Sequence, residues 1–169
     1  MKIIDHILSL QGKSKKMESS KKKGRYERIY VQLKDLFKKS PNLNARLSTV
    51  NAVLHHKLDH YFWTGFYLIE NGELNIGPYQ GPVACQVLEK NKGVCWAAIN
   101  EKKTIVVTDV SKFPGHIACD SRSNSEIAVP IVNKENNIIG VLDVDSKDFS
   151  AFDETDKEWL EKIVKLMIE

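Results

Sequence analysis

Three cysteines and three carboxylates are the residues whose types and spacing suggest chemistry. Cys119 lies in Phe113-Pro114-Gly115-His116-Ile117-Ala118-Cys119-Asp120, between a strand-like run ending at Val107 and another opening at Glu126. The Pro-Gly pair marks a turn, and a loop thiol with polar neighbours is a better candidate nucleophile than one inside an apolar strand. Cys85 follows a Pro/Gly-rich loop at the start of a short strand. Cys95 falls in the first turn of a helix opening at Gly93, where free amides and the helix dipole favour a thiolate. Three thiols suit one attacking group and one or two resolving partners, and the local pattern leaves open which of them meet. The inert alternative, cysteine as a small buried hydrophobe, stands beside this reading. His116 reads as a loop hydrogen-bonder that, if protonated, would favour a nearby thiolate. Zinc ligation by Cys85, Cys95, Cys119 and His116 lacks any CxxC or HxxxH spacing, so no metal is expected.

The carboxylates come from a hairpin. In Val141-Leu142-Asp143-Val144-Asp145, strand alternation puts Asp143 and Asp145 on one face and Leu142 and Val144 on the other. A turn centred on Glu135 sets Glu126 across from residue 144, give or take one, so three carboxylates converge at one sheet end. Such a cluster can hold an ammonium group or a metal, and mutual repulsion raises at least one pKa. The alternative is a strand that merely ends at Asp145-Ser146, with Glu126 in solvent. Trp63 and Tyr67 share a strand face and could wall an apolar pocket for a methyl or thioether group.

These groups need a scaffold. Tyr26, Tyr30, Leu33 and Phe37 recur at helical spacing from Arg25 onward. Ser40-Pro41 reads as an N-cap and first helical residue, followed by a helix burying Leu43, Leu47, Val50, Leu54 and Leu58. Strands are expected at Trp63 to Ile69, around Leu74 after the Asn71-Gly72 hairpin turn, at Ala84 to Leu88, at Thr104 to Val107, at Glu126 to Val132 and at Ile138 to Asp145. Gly77 to Pro82 reads as a loop, since two prolines and two glycines within six residues suit neither regular element. Asp153 caps a last helix that buries Trp159, Leu160, Ile163 and Met167. Helices flanking hairpin-linked strands give an α+β architecture, an antiparallel sheet with helices packed on it, in a single domain.

The totals exclude several classes. A chain of 169 residues with 42% hydrophobic and 28% charged residues is one ordinary globular domain able to bury a core without staples. Lys13 to Arg25 carries seven bases and one acid, a local +6 within a net charge of +3, which leaves −3 for the rest. The folded part therefore has no composition-level claim on nucleic acid. The Lys/Ser run lacks apolar periodicity, so residues 1–24 are expected to be a basic disordered tail and residues 25–169 the folded domain. No secretory pattern or membrane-length apolar run is seen, and three cysteines do not make a disulfide framework, which places the chain in the cytoplasm. Walker, Rossmann, HExxH and GxSxG motifs are all missing.

Several stretches together resemble a known family: Trp63-Thr64-Gly65-Phe66-Tyr67, Gly77-Pro78-Tyr79-Gln80-Gly81-Pro82-Val83-Ala84-Cys85, Gly93-Val94-Cys95, Phe113 to Asp120, Ser125-Glu126-Ile127 and Gly140 to Ser146. They are similar to the motifs of the free methionine-R-sulfoxide reductases, single-domain enzymes of the GAF fold. The resemblance implies Cys119 as the nucleophile that takes the sulfoxide oxygen as a sulfenic acid. It implies Cys85, or alternatively Cys95, as the resolving thiol, and thioredoxin as external reductant with no bound cofactor. Glu126, Asp143 and Asp145 would hold the substrate ammonium and polarise the sulfoxide, with Trp63 and Tyr67 against its methyl end. Trp96 stands where the family usually has a small residue. A homodimer is left open, no membrane or nucleic-acid partner is expected, and the rival classes are a non-catalytic GAF-type sensor and a zinc-stabilised structural domain.

Overall fold

The computed structural model describes residues 2–116 and 119–169, with side chains from Ser20 onward; Met1 and the Ile117-Ala118 pair of the cysteine loop lie outside the described residues. Helices α1 (Lys2–Phe37) and α2 (Leu43–Lys57) precede the hairpin of β1 (Trp63–Glu70) and β2 (Glu73–Gln80). Then come β3 (Val87–Leu88), α3 (Gly93–Glu101), β4 (Ile105–Val107), a 3-10 turn at Val110–Lys112, the hairpin of β5 (Ser125–Val132) and β6 (Ile138–Ser146), and α4 (Glu154–Ile168). The six strands form one antiparallel sheet in the order β3-β2-β1-β6-β5-β4.

Strand alternation divides the sheet into two cores. Phe66, Leu142, Val144, Ile127, Val129 and Ile131 face α1, α2 and α4, where they meet Tyr26, Leu33, Leu54, Leu160 and Ile163. Trp63, Tyr67, Val141 and Ala128 face the other way, toward α3 and its Val94, Cys95, Trp96 and Ala98. The Asn71-Gly72 turn has positive φ at both residues, 54° and 80°, as a two-residue hairpin of this hand requires.

Four sequence expectations change. α1 is helical from Lys2, so the expected disordered tail over residues 1–24 is not what the structure contains. Lysine is a fair helix former, and Lys22 is anchored by ion pairs to Asp153 and to the buried Asp156 of α4. The cap of α2 is Asn42 rather than Ser40: Asn42 Oδ1 accepts from the Ala45 amide at 3.0 Å, while Ser40 Oγ accepts from the Asn42 amide. That shift leaves Leu43 on the exposed side. Lastly, Gly77 to Gln80 belongs to β2. Gly65 pairs with Tyr79 and Tyr67 with Ile76, so Gly77 and Pro78 together oppose Phe66 in a bulge, where a proline without an amide proton is tolerated.

Candidate active site

The β5–β6 hairpin sets the carboxylates. Glu126 pairs with Asp145 and Ala128 with Asp143, so all three acids project from adjacent rows on the α3 side of the sheet. Glu126 and Asp143 are buried, at 6% and 7% exposure. Burial is the first cause raising all three pKa values. Repulsion by Asp143 and Asp145 adds to the rise at Glu126, and Asp143 itself is pushed up to about 6. Ser123 hydrogen-bonds Asp145 and opposes its rise. Asp143 Oδ1 is buried without a hydrogen-bond partner among the described residues. Burial and mutual repulsion of this kind favour the protonated carboxyl form.

A disulfide borders the same cavity. Cys85 and Cys119, 34 residues apart in sequence, are bonded, with their Cα atoms 5.6 Å apart. Cys119, Asp120, His116 and Ser123 line one cavity together with Glu126, Asp143, Asp145, Trp63, Tyr67 and Cys95. The segment carrying Cys85 is held from beneath: Tyr67 donates its hydroxyl to the Cys85 carbonyl at 3.0 Å, and the Trp63 indole N–H donates to the Pro82 carbonyl at 3.1 Å. Trp63 is stacked between Tyr67 and Tyr79, with centroids 5.9 and 5.5 Å away. The stack needs two glycines. A Cβ on Gly65 would come within 2.7 Å of the Trp63 ring, and one on Gly81, whose φ is +122°, within 2.9 Å of it.

The remaining residues depart from their expected roles. Cys95 is in the first turn of α3, yet it is 3% exposed and is the free cysteine. Burial, reinforced by Asp143, Glu126 and Asp145, pushes its thiol well above the ordinary range, so the thiolate expected at a helix start does not form there. His116 Nδ1 lies 3.7 Å from Glu126 Oε2, and burial lowers the imidazole pKa, so at neutral pH it carries no charge to favour a thiolate. The four-residue zinc set considered from sequence is not assembled, because two of its thiols are bonded to each other.

The chain is similar to known proteins in sequence and in fold. The GAF domain family model matches residues 49–167. The Escherichia coli free methionine-R-sulfoxide reductase is 44% identical over 120 residues, which is 71% of this chain and 72% of that one. The chain belongs to the free methionine-R-sulfoxide reductase family. Its fold superposes on the Neisseria meningitidis free methionine-R-sulfoxide reductase solved in complex with its substrate, with a TM-score of 0.80, 39% identity and coverage of 84% and 85% of the two chains. Dictyostelium discoideum GAF domain-containing protein A is 46% identical over 147 residues, 86% of this chain and 92% of that protein.

Within the free methionine-R-sulfoxide reductase family, the bulky Trp96 of this chain is accommodated without cost to the site. It is buried in the α3 core and its indole N–H donates to the Leu88 carbonyl at 3.4 Å. Tyr79 is the site residue that sequence reasoning missed. Read as part of a loop, it has no face; placed in β2 opposite Gly65, it stacks on Trp63, and the glycine facing an aromatic across a hairpin was the available signal. Ser123 was also missed, being an ordinary loop serine until the hairpin end brings Asp145 to it.

Proposed function

We propose that this protein reduces free L-methionine-(R)-S-oxide to L-methionine. The observation that carries the proposal is that Cys119, bonded to Cys85, lines one cavity with Glu126, Asp143 and Asp145. Disulfide oxidation is the state such a cycle leaves behind. Starting from the dithiol, the Cys119 thiolate attacks the sulfoxide sulfur while a protonated carboxyl of the cluster gives its proton to the sulfoxide oxygen. The protonated oxygen then passes from the substrate sulfur to Cys119 Sγ as the sulfur–oxygen bond and the new sulfur–sulfur bond both break, so methionine leaves and Cys119 is left as a sulfenic acid. The Cys85 thiolate then attacks Cys119 Sγ, releasing water and forming the disulfide, which the dithiol of thioredoxin reduces by exchange. The chain supplies no cofactor in this scheme, and a thiol cycle of this kind suits a reducing cytoplasm.

The remaining carboxylates pair with the substrate ammonium, which answers the unpartnered Asp143 oxygen. Trp63 and Tyr67 pack on the methyl end. N-acetylated or peptide-bound methionine sulfoxide has an amide in place of the ammonium and would leave a buried carboxylate unpaired, a discrimination of roughly 10^3-fold or more. The test follows NADPH consumption through thioredoxin reductase and thioredoxin, with the R and S epimers of free methionine sulfoxide and N-acetylmethionine sulfoxide as substrates. Turnover is expected with the free R epimer alone. Binding of the R epimer to fully reduced protein without turnover would instead make the protein a sensor of that ligand.

A further inference from the structure

Cys95 has no place in the cycle above, although it reaches into the same cavity. Its Sγ and one carboxylate oxygen from each of Glu126 and Asp143 all lie within 4.8 Å of one another, and all three residues are buried. Two further observations point inward. Asp143 Oδ1, on a residue 7% exposed, has no hydrogen-bond partner among the described residues. His116 Nδ1 is likewise unpartnered and sits 3.7 Å from Glu126 Oε2.

We propose that Cys95, Glu126 and Asp143 form a binding site for a zinc-type divalent cation, and that the cation excludes the substrate. A substrate ammonium is served by oxygen acceptors and gains little from a thiol. A donor set of one sulfur and two carboxylate oxygens, with an imidazole nitrogen beside it, is that of a borderline ion such as zinc, whereas calcium and magnesium take oxygen alone. Three protein donors leave a fourth position open, and His116 Nδ1 adjoins it. On binding, the ion displaces the Cys95 proton and any carboxyl proton into solvent, with no change in oxidation state. Because Glu126 and Asp143 would also receive the ammonium, ion and substrate are alternatives. This last clause alone rests on the proposed function; the ion site does not.

The disulfide form isolates the question, since Cys85 and Cys119 are then bonded to each other and Cys95 carries the one thiol. Metal-free disulfide-form protein is titrated with cobalt(II) followed by absorption, and with zinc chloride followed by calorimetry. One equivalent of cobalt should bind with a thiolate-to-metal charge-transfer band, which surface histidines cannot produce. Cys95→Ser should abolish the band, and Asp143→Asn, which leaves the thiol in place, should weaken zinc at least ~10-fold. No charge-transfer band, a band surviving Cys95→Ser, or zinc affinity unmoved by Asp143→Asn overturns the site. In reduced protein, free methionine-R-sulfoxide should compete with zinc; failure to compete overturns the exclusion. A protein that binds zinc as described but never turns over the sulfoxide refutes the proposed function and leaves the ion site standing.

Discussion

Glu126 stands directly opposite Asp145 in the β5–β6 ladder, and Ala128 opposite Asp143, so a turn of a few residues decides that three acids meet in the cavity that Cys119 lines. A one-residue slip of β5 against β6 would turn either Glu126 or both aspartates toward the face covered by α1, α2 and α4. The chemistry is thus tied to the hairpin rather than to the loop that carries the nucleophile.

The two bonded cysteines should separate cleanly in single-turnover experiments. Cys119→Ser is expected to form no methionine from reduced protein. Cys85→Ser should form one methionine per chain and then stop, leaving a sulfenic acid that dimedone traps. Quantifying methionine per chain and mapping the adduct by mass spectrometry checks both, and loss of recycling alone in Cys119→Ser would exchange the two roles.

The buried acids are a stability liability whose pH dependence has a definite sign. Asp143 has a folded pKa of about 6, above the ordinary aspartate value of about 3.9, so the folded state binds its proton more tightly than the unfolded chain does. Stability is therefore highest with respect to this group below about pH 4 and falls as pH rises through about 6. Asp143→Asn should be more stable than wild type by about 1 to 3 kcal/mol at pH 8, with the gap closing toward pH 4.5. Urea denaturation at the two pH values measures the difference.

Gly65→Ala tests the aromatic wall. The new methyl would lie 2.6 Å from Tyr79 Cβ and 2.7 Å from the Trp63 ring, so the stack must move. A loss of about 1 to 3 kcal/mol is expected, with a rise in KM larger than the fall in kcat. Trp63 fluorescence in the folded variant should report the displaced ring, and an unchanged KM would remove the stack from substrate binding.

Lys22 tests where the folded unit begins. Asp156 is fully buried and is served by Lys22 and by the Tyr26 hydroxyl at 2.8 Å, which also bonds the Tyr61 hydroxyl at 2.6 Å. Lys22→Ala leaves that carboxylate with its Tyr26 and Asp153 donors but without its cation and should cost about 2 to 4 kcal/mol, with kcat unchanged. Removal of residues 1–24 should cost at least as much. Equal stability of the truncated and full chains would restore the boundary at residue 25.

Much of the site is legible because it depends on short-range rules. Period-two alternation and one hairpin place Glu126, Asp143 and Asp145 together, and alternation in β1 puts Trp63 and Tyr67 on the same side. The choice of Cys85 over Cys95 is not a short-range matter. Each lies a few residues after a glycine, Gly81 or Gly93, and only the packing of α3 onto the sheet buries one thiol and leaves the other to meet Cys119. The Gly77-Pro78 pair misleads because turn chemistry and a bulge use the same residues. The start of α1 misleads because its anchor, Asp156, lies 134 residues from Lys22.

The sheet has one core against α1, α2 and α4 and another against α3, and the reactive groups belong to the second. Three helices on the far side can hold the fold while the residues beneath α3 are exchanged. Inheritance of the scaffold and inheritance of the activity are therefore separable. A descendant could keep the first core intact, replace Cys119 or an acid, and persist as a ligand binder with the same shape.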